Sequence, residues 1–228
     1  MTVVRLEWGA AGARLLAQSC AVVVVCDVLS FSTAVSVAVG RGVRVWPHRW
    51  DDGSAAARAQ ELGALLAGPR DDRVSLSPAS LMALPSGTDV IMPSPNGASC
   101  CLAAADAGAT VVAGCLRNAP AVAAWLRRRD VDVGLVPAGE RWPDGSMRPA
   151  YEDWIGAGSI AALLADAVEL GPEAAAAAAG SQHRRPLVEV MSGNELVERG
   201  FADDVAMAED YGAGDEVPVL VDGRFVSS

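Results

Sequence analysis

The run Val22-Val23-Val24-Val25-Cys26-Asp27 constrains this chain more than any other stretch. Four consecutive β-branched residues show no alternation of apolar and polar, so the strand they favour is buried on both faces, as strands inside a parallel sheet are. Parallel neighbours need crossover connections, and helices then cover both faces of the sheet. The lone carboxylate of Asp27 falls where that strand leaves the sheet, with Ser32 or Thr33 expected to supply an N-cap hydroxyl for the next helix. Ligands of open α/β sheets bind outside the carboxyl ends of the strands. Asp27 is therefore either a turn cap or a functional acid.

The rest of the chain repeats that unit. A strand over 3–7 and a helix over 10–18 precede the valines; a helix over 32–39 stops at Gly40, and Val43 to Pro47 returns as a strand. Asp52 or Ser54 is expected to open a helix over 55–67, ended by Gly68. Residues 69–88, rich in Pro, Ser and Asp, read as a long functional or partly structured connection. Strands are expected over 89–93, 110–113 and 131–136, with helices over 98–107 and 119–129, the latter capped by Asn118. Arg127, Arg128 and Arg129 close that helix, where cations meet the dipole favourably.

A long helix is expected over 151–170, and the alanine run 172–180 reads as a surface or partner-facing helix. Ser192 to Glu195 matches a capping box, with Glu195 and Arg199 paired on a helix over 194–199. Asp222-Gly223 signals a type I′ hairpin. The pattern is one α/β domain, with a small C-terminal subregion allowed from about residue 185.

Charge and composition narrow the function classes. A formal net charge of -10 repels phosphate backbones and anionic bilayers, so neither nucleic acid nor a membrane is an expected partner. No signal-peptide pattern or membrane-length apolar run is present, and a soluble, cytoplasmic protein is expected. The 5 cysteines include no C-x-x-C, and the 2 histidines stand far apart. All 18 basic residues are arginine, which removes lysine nucleophiles and leaves guanidinium groups to hold any anionic substrate. Gly156-Ala-Gly158 lies within an expected helix, so it is no dinucleotide fingerprint. No G-x-S-x-G occurs either.

Three further stretches place polar groups between a strand end and a helix start: Ser94-Pro95-Asn96-Gly97, Gly114-Cys115-Leu116-Arg117-Asn118, and Gly139-Glu140-Arg141 continued by Glu152-Asp153. Parallel strands would bring all of them to one sheet edge. Asn96-Gly97 is either a turn or a set of amides able to hold an oxyanion. Glu152 and Asp153 either complement a helix dipole or join Asp27 around a hard divalent cation.

In this order and spacing, Asp27-Val-Leu-Ser-Phe-Ser-Thr33, Ser94-Pro-Asn-Gly-Ala98, Gly114-Cys-Leu-Arg-Asn118 and Glu152-Asp153-Trp-Ile-Gly-Ala157-Gly158 resemble the 2-phosphosulfolactate phosphatase (ComB-like) family over about residues 20–210. The resemblance implies a three-layer α/β/α fold with a mostly parallel sheet. It also implies a Mg²⁺-dependent phosphohydrolase acting on a small anionic 2-phospho acid of coenzyme M biosynthesis. Asp27, Glu152 and Asp153 would be the catalytic and metal residues; Ser32, Thr33, Asn96, Gly97 and Asn118 would match the family's polar positions.

Ser30 stands where the family usually has Arg, and Gly68-Pro69-Arg70 stands for its Gly-Glu-Arg. Arg117, Arg141 or Arg148 is expected to supply the cation instead. The alternative is a catalytically degenerate homologue that binds small anions. An apolar face on the 151–170 helix is compatible with a homo-oligomer.

Overall fold

The computed structural model describes residues 2–50 and 53–228. Asp52, one of the two residues expected to open the third helix, lies outside them. The first half of the chain comprises β1 (Val3–Leu6), α1 (Gly9–Leu16), β2 (Val22–Cys26), α2 (Phe31–Gly40), β3 (Arg44–His48), α3 (Ala55–Leu62), β4 (Leu65–Leu66), α4 (Pro78–Leu81), β5 (Asp89–Pro93) and α5 (Gly97–Asp106). Then come β6 (Thr110–Gly114), α6 (Ala119–Leu126), β7 (Val133–Pro137), β8 (Glu140–Arg141), β9 (Met147–Arg148), α7 (Tyr151–Ala162), β10 (Glu169–Leu170) and α8 (Pro172–Ser181). A 3-10 turn, Leu187–Glu189, leads to α9 (Met191–Glu198), α10 (Ala202–Glu209), β11 (Pro218–Val221) and β12 (Arg224–Ser227).

Ten of these strands form one sheet in the order β10-β1-β7-β2-β6-β11-β12-β3-β5-β4, and β8-β9 is a separate hairpin. Strands β10, β1, β7, β2 and β6 run parallel. So do β3, β5 and β4. The antiparallel hairpin β11-β12 joins the two sets. Its Asp222 (φ 48°) and Gly223 (φ 81°) both take the left-handed conformation a type I′ turn requires. This is the expected α/β/α fold with a mostly parallel sheet.

The valine strand sits between β6 and β7 and is buried throughout. Val23 and Val25 enter a core shared with α1, α2 and α5, while Val22, Val24 and Cys26 enter a second core under α6, α7 and α8. The absence of alternation follows from helices on both faces; each buried valine contributes about 1.5–3 kcal/mol. A third, smaller core joins Val28 and Leu29 to Leu187, Leu196 and Val205, fastening the C-terminal helices over the loop that leaves β2. All five cysteines are free and buried.

Several expected elements end differently. Helix α3 stops at Leu62 rather than residue 67, because Gly63 turns left-handed (φ 61°) and Leu65–Leu66 pair with β5 as an edge strand. Helix α7 stops at Ala162 rather than 170, since Glu169–Leu170 pair with β1. Helix α2 runs through Gly40, and the turn falls instead on Gly42 (φ 76°). Helix α9 starts at Met191, so no capping box forms and the Ser192 hydroxyl accepts from Arg148 at 3.2 Å. The Arg199 guanidinium lies over the Phe201 ring at 5.7 Å, and among the described residues it makes no ion pair with Glu195.

The alanine helix α8 is not a free surface element. Its Ala174, Ala177 and Ala178 belong to the second core with α7. The approach is close enough that a Cβ on Gly158 would lie 2.1 Å from the Ala177 carbonyl oxygen. The α7 face expected to suit a second copy is thereby covered. Arg127 pairs with Asp166 and the Leu163 carbonyl, and Arg129 stacks on Trp125, so these two arginines tie the end of α6 down.

Candidate active site

Asp27 leaves β2 and closes two helix starts at once. Its Oδ1 accepts the Phe31 amide at 3.0 Å and its Oδ2 the Gly97 amide at 2.8 Å. The capping role expected of Ser32 or Thr33 thus belongs to Asp27. The Ser32 hydroxyl donates to the Val25 carbonyl (2.9 Å) and accepts from the Asp27 amide (3.1 Å), while Thr33 donates to the Val28 carbonyl (2.7 Å). Both shape the loop beneath Asp27. Gly97 is required for the same contact: a Cβ there would lie 2.6 Å from Asp27 Oδ2 and 2.5 Å from Phe31 Cδ1.

Glu152 and Asp153 stand in the first turn of α7, where the dipole favours negative charge, and both are buried. Asp153 Oδ1 accepts the Val28 amide at 2.7 Å and its Oδ2 the Gly139 amide at 2.9 Å, locking together the loops that leave β2 and β7. Glu152 takes part in no side-chain hydrogen bond among the described residues. A fourth acid completes the group. Glu140, at the start of β8, accepts from the Asn96 side-chain amide at 2.8 Å. It lay in a strand-end block visible in the sequence, yet only its contact with Asn96 marks it as part of this centre.

Burial dominates the electrostatics. It pushes the Asp27 carboxyl up to about 6 in spite of the Phe31 and Gly97 amides, with repulsion from Glu152 adding and Arg70 opposing. Glu140 is pushed up to about 8 by burial and then by Asp27 and Glu152. Asp153 is raised well above the usual carboxylate range by burial, Asp27 and Glu152. Acids that repel one another in a dry site attract protons or a cation. Among the described residues, no three His, Cys, Asp or Glu side chains are grouped so as to hold a metal by themselves. The donor set fits a hard cation that takes one or two carboxylates and fills its remaining positions with water and phosphate oxygens.

Beside the acids lies a cleft of about 470 Å³ lined by Arg70, Arg141, Arg148 and Arg199, with Glu140 and Glu195. Arg70 donates to the Ser30 hydroxyl at 2.9 Å and to Asp204 at 2.7 Å, and its guanidinium lies 5.3 Å from the Phe201 ring. Arg148 bonds Ser192 and stacks 5.7 Å over Trp142, and Arg141 donates to the Pro95 carbonyl at 2.8 Å. Of the three arginines expected to replace the one absent at Ser30, Arg141 and Arg148 line the cleft. Arg70 also lines it and touches Ser30 itself.

Arg117 does not line the cleft. It donates to the Met207 carbonyl at 3.2 Å and lies 3.6 Å from Asp210, tying the β6 loop to α10. Asn118 is likewise structural, its Oδ1 accepting from the Cys115 amide (2.9 Å) and its Nδ2 donating to the Ala113 carbonyl (3.1 Å). Of the expected polar positions, Asn96 and Gly97 reach the acidic group.

A family model described as 2-phosphosulpholactate phosphatase matches residues 13–223, a span holding all four acids and all four cleft arginines. The chain belongs to the 2-phosphosulfolactate phosphatase family. A relative from Carboxydothermus hydrogenoformans, named probable 2-phosphosulfolactate phosphatase, is 31% identical over 218 residues, covering 90% of this chain and 89% of its own. The family is one of phosphoric monoester hydrolases. In this member of the 2-phosphosulfolactate phosphatases, the acids gather at the strand ends and the cations line the cleft next to them.

Proposed function

We propose that the chain is a Mg²⁺-dependent phosphatase of small, multiply anionic phosphoesters of the 2-phosphosulfolactate type. The observation that carries this reading is the buried group Asp27, Glu152 and Asp153, joined by the half-buried Glu140 to a cleft lined by four arginines. Asp27 and Glu152 would hold the cation, with Asp153 bracing the loops around them. When bound, Mg²⁺ supplies charge neutralisation on the transferring phosphoryl group.

The arginines do the rest of the binding. Bidentate guanidinium groups suit both the phosphate and the distal acid of such a substrate. Arg70 and Arg148 are pre-oriented by Asp204, Ser192 and aromatic faces, which lowers the ordering cost of binding. Glu140 lines the cleft, and burial pushes its carboxyl up, which would suit it to protonate the leaving alkoxide as the ester P–O bond breaks. Among the described residues no helix is long and apolar enough to cross a membrane. A cytoplasmic role in coenzyme M biosynthesis is part of the same proposal.

The test is phosphate release from a panel of phosphorylated 2-hydroxy acids, with Mg²⁺ and with EDTA. Release that needs Mg²⁺ is expected. Ligand-induced thermal stabilisation without release from any panel member would overturn the enzyme reading in favour of a small-anion-binding homologue.

A further inference from the structure

A second cavity, of about 270 Å³, opens between the start of α1 and the β8-β9 hairpin. Its walls are Trp8, Ala10, Pro95, Cys100, Ala138 and Met147. The charged residues that line it are Glu140 and Arg141, and these same two line the cationic cleft, so the two spaces adjoin at β8. Glu140 accepts from the Asn96 side-chain amide and Arg141 donates to the Pro95 carbonyl, which fixes both side chains where the two spaces meet. Apart from Glu140, Arg141 and Asn96 the side chains lining it are apolar, so the cavity offers no further charged group to a second acid, and moving hydrocarbon from water into it is favourable. Met147, 43% exposed at the rim, is unbranched and can adapt to a guest.

We propose that this cavity is an apolar subsite that receives the hydrocarbon arm of a phosphoester whose anionic head lies among the arginines. The substrate class is then a phosphorylated hydroxy acid, or a related ester, with an alkyl or aryl extension of several carbons. The inference rests on the phosphatase reading for where the head group sits and replaces the sulfonated arm of that reading's coenzyme M substrate with a hydrocarbon one; binding of unreactive phosphonates tests it separately.

Isothermal titration of the full-length protein with methyl-, butyl- and hexylphosphonate is the experiment. Burial of apolar carbon is worth about fourfold per methylene, so hexylphosphonate should bind at least about tenfold more tightly than methylphosphonate. Its heat-capacity change should also be more negative. Ala11, exposed on the first turn of α1, lines the cavity, and Ala11→Phe should shrink the hexyl-to-methyl ratio towards one. Equal or undetectable affinities across the wild-type series overturn the subsite, as does a ratio that survives in folded Ala11→Phe. If that variant does not fold, the wild-type series and its heat capacities decide. A chain-length effect on binding without phosphate release from any ester would sink the phosphatase reading alone. Release from short esters with a flat phosphonate series would sink the subsite alone.

Discussion

Arg70 Nη2 lies 2.9 Å from the Ser30 hydroxyl. The guanidinium comes from the connection between β4 and α4, reaches the loop that leaves β2, and is held from behind by Asp204 of α10. Three distant segments therefore meet at one cation beside Asp27. A loop position lacking an arginine of its own is served by one from elsewhere in the chain.

Arg70→Ala should separate binding from folding. The variant loses a charge-assisted contact to an anionic substrate, so kcat/KM should fall by about tenfold to a hundredfold. It also leaves Asp204, 2% exposed, with only Ser77 and the Ala79 amide as partners, at a stability cost on the order of 3 kcal/mol. Ser30→Ala removes only the 2.9 Å bond and should cost about 1 kcal/mol while weakening substrate binding. Urea unfolding and steady-state kinetics on both variants decide; wild-type kcat/KM in Arg70→Ala would show that the cleft is not the substrate site.

Asp27→Asn should abolish Mg²⁺-dependent turnover yet leave a folded protein. The carboxamide keeps one acceptor but turns an NH₂ towards either the Phe31 or the Gly97 amide, a loss of about 1–3 kcal/mol. Removing the charge also relieves the burial and repulsion that push Asp27 up to about 6, which offsets much of that loss. Thermal melts with and without Mg²⁺ check both halves: a melting temperature near wild type without Mg²⁺, and no stabilisation on adding it.

How much of this was legible in the sequence depends on the range of the interaction concerned. The valine strand and the Asp222-Gly223 turn were legible because their signals are local: β-branched residues buried on both faces, and two left-handed positions in succession. The ends of α3 and α7 were not, because Leu65–Leu66 and Glu169–Leu170 are recruited as edge strands by partners far along the chain. The same divide runs through the site. Asp27, Glu152 and Asp153 announced themselves as acids at strand ends and helix starts. Glu140, Arg70 and Asp204 gain their roles from Asn96, Ser30 and each other across 44, 40 and 134 positions. Arg117 and Asn118, which matched the pattern, are occupied by local backbone and by α10.

The pH dependence of stability follows from the raised acids. Asp27, Glu140 and Asp153 have folded pKa values above their ordinary ones, so the folded state holds more protons than the unfolded chain. Their contribution is fully present below about pH 4 and is lost as pH rises through about 6 for Asp27 and about 8 for Glu140. Without Mg²⁺, the urea midpoint should fall between pH 5 and pH 9. Glu140→Gln keeps an acceptor for Asn96 and should flatten the upper part of that decline, and saturating Mg²⁺ should stabilise more at the alkaline end. A midpoint that rises with pH would show that these carboxyls are not raised.

Gly97→Ala and Gly158→Ala offer a paired test of which close approach serves the site and which serves the fold. At Gly97 the new methyl would meet Asp27 Oδ2 at 2.6 Å and Phe31 Cβ at 2.7 Å. The start of α5 must then withdraw, and the Gly97 amide with it, from the carboxylate it steadies. Activity should drop by about a hundredfold or more, because an acid displaced by a fraction of an ångström no longer meets its ligand. At Gly158 the methyl would meet backbone rather than a movable side chain, 2.1 Å from the Ala177 oxygen, forcing α8 off α7. Overpacking of this kind costs about 1–3 kcal/mol or more. The loss should appear in the unfolding midpoint, while KM and the Mg²⁺ requirement of the protein that remains folded stay near wild type. The reverse pattern, a stable but inactive Gly158→Ala and an active Gly97→Ala, would place the working centre on the α7-α8 side of the sheet instead of at Asp27.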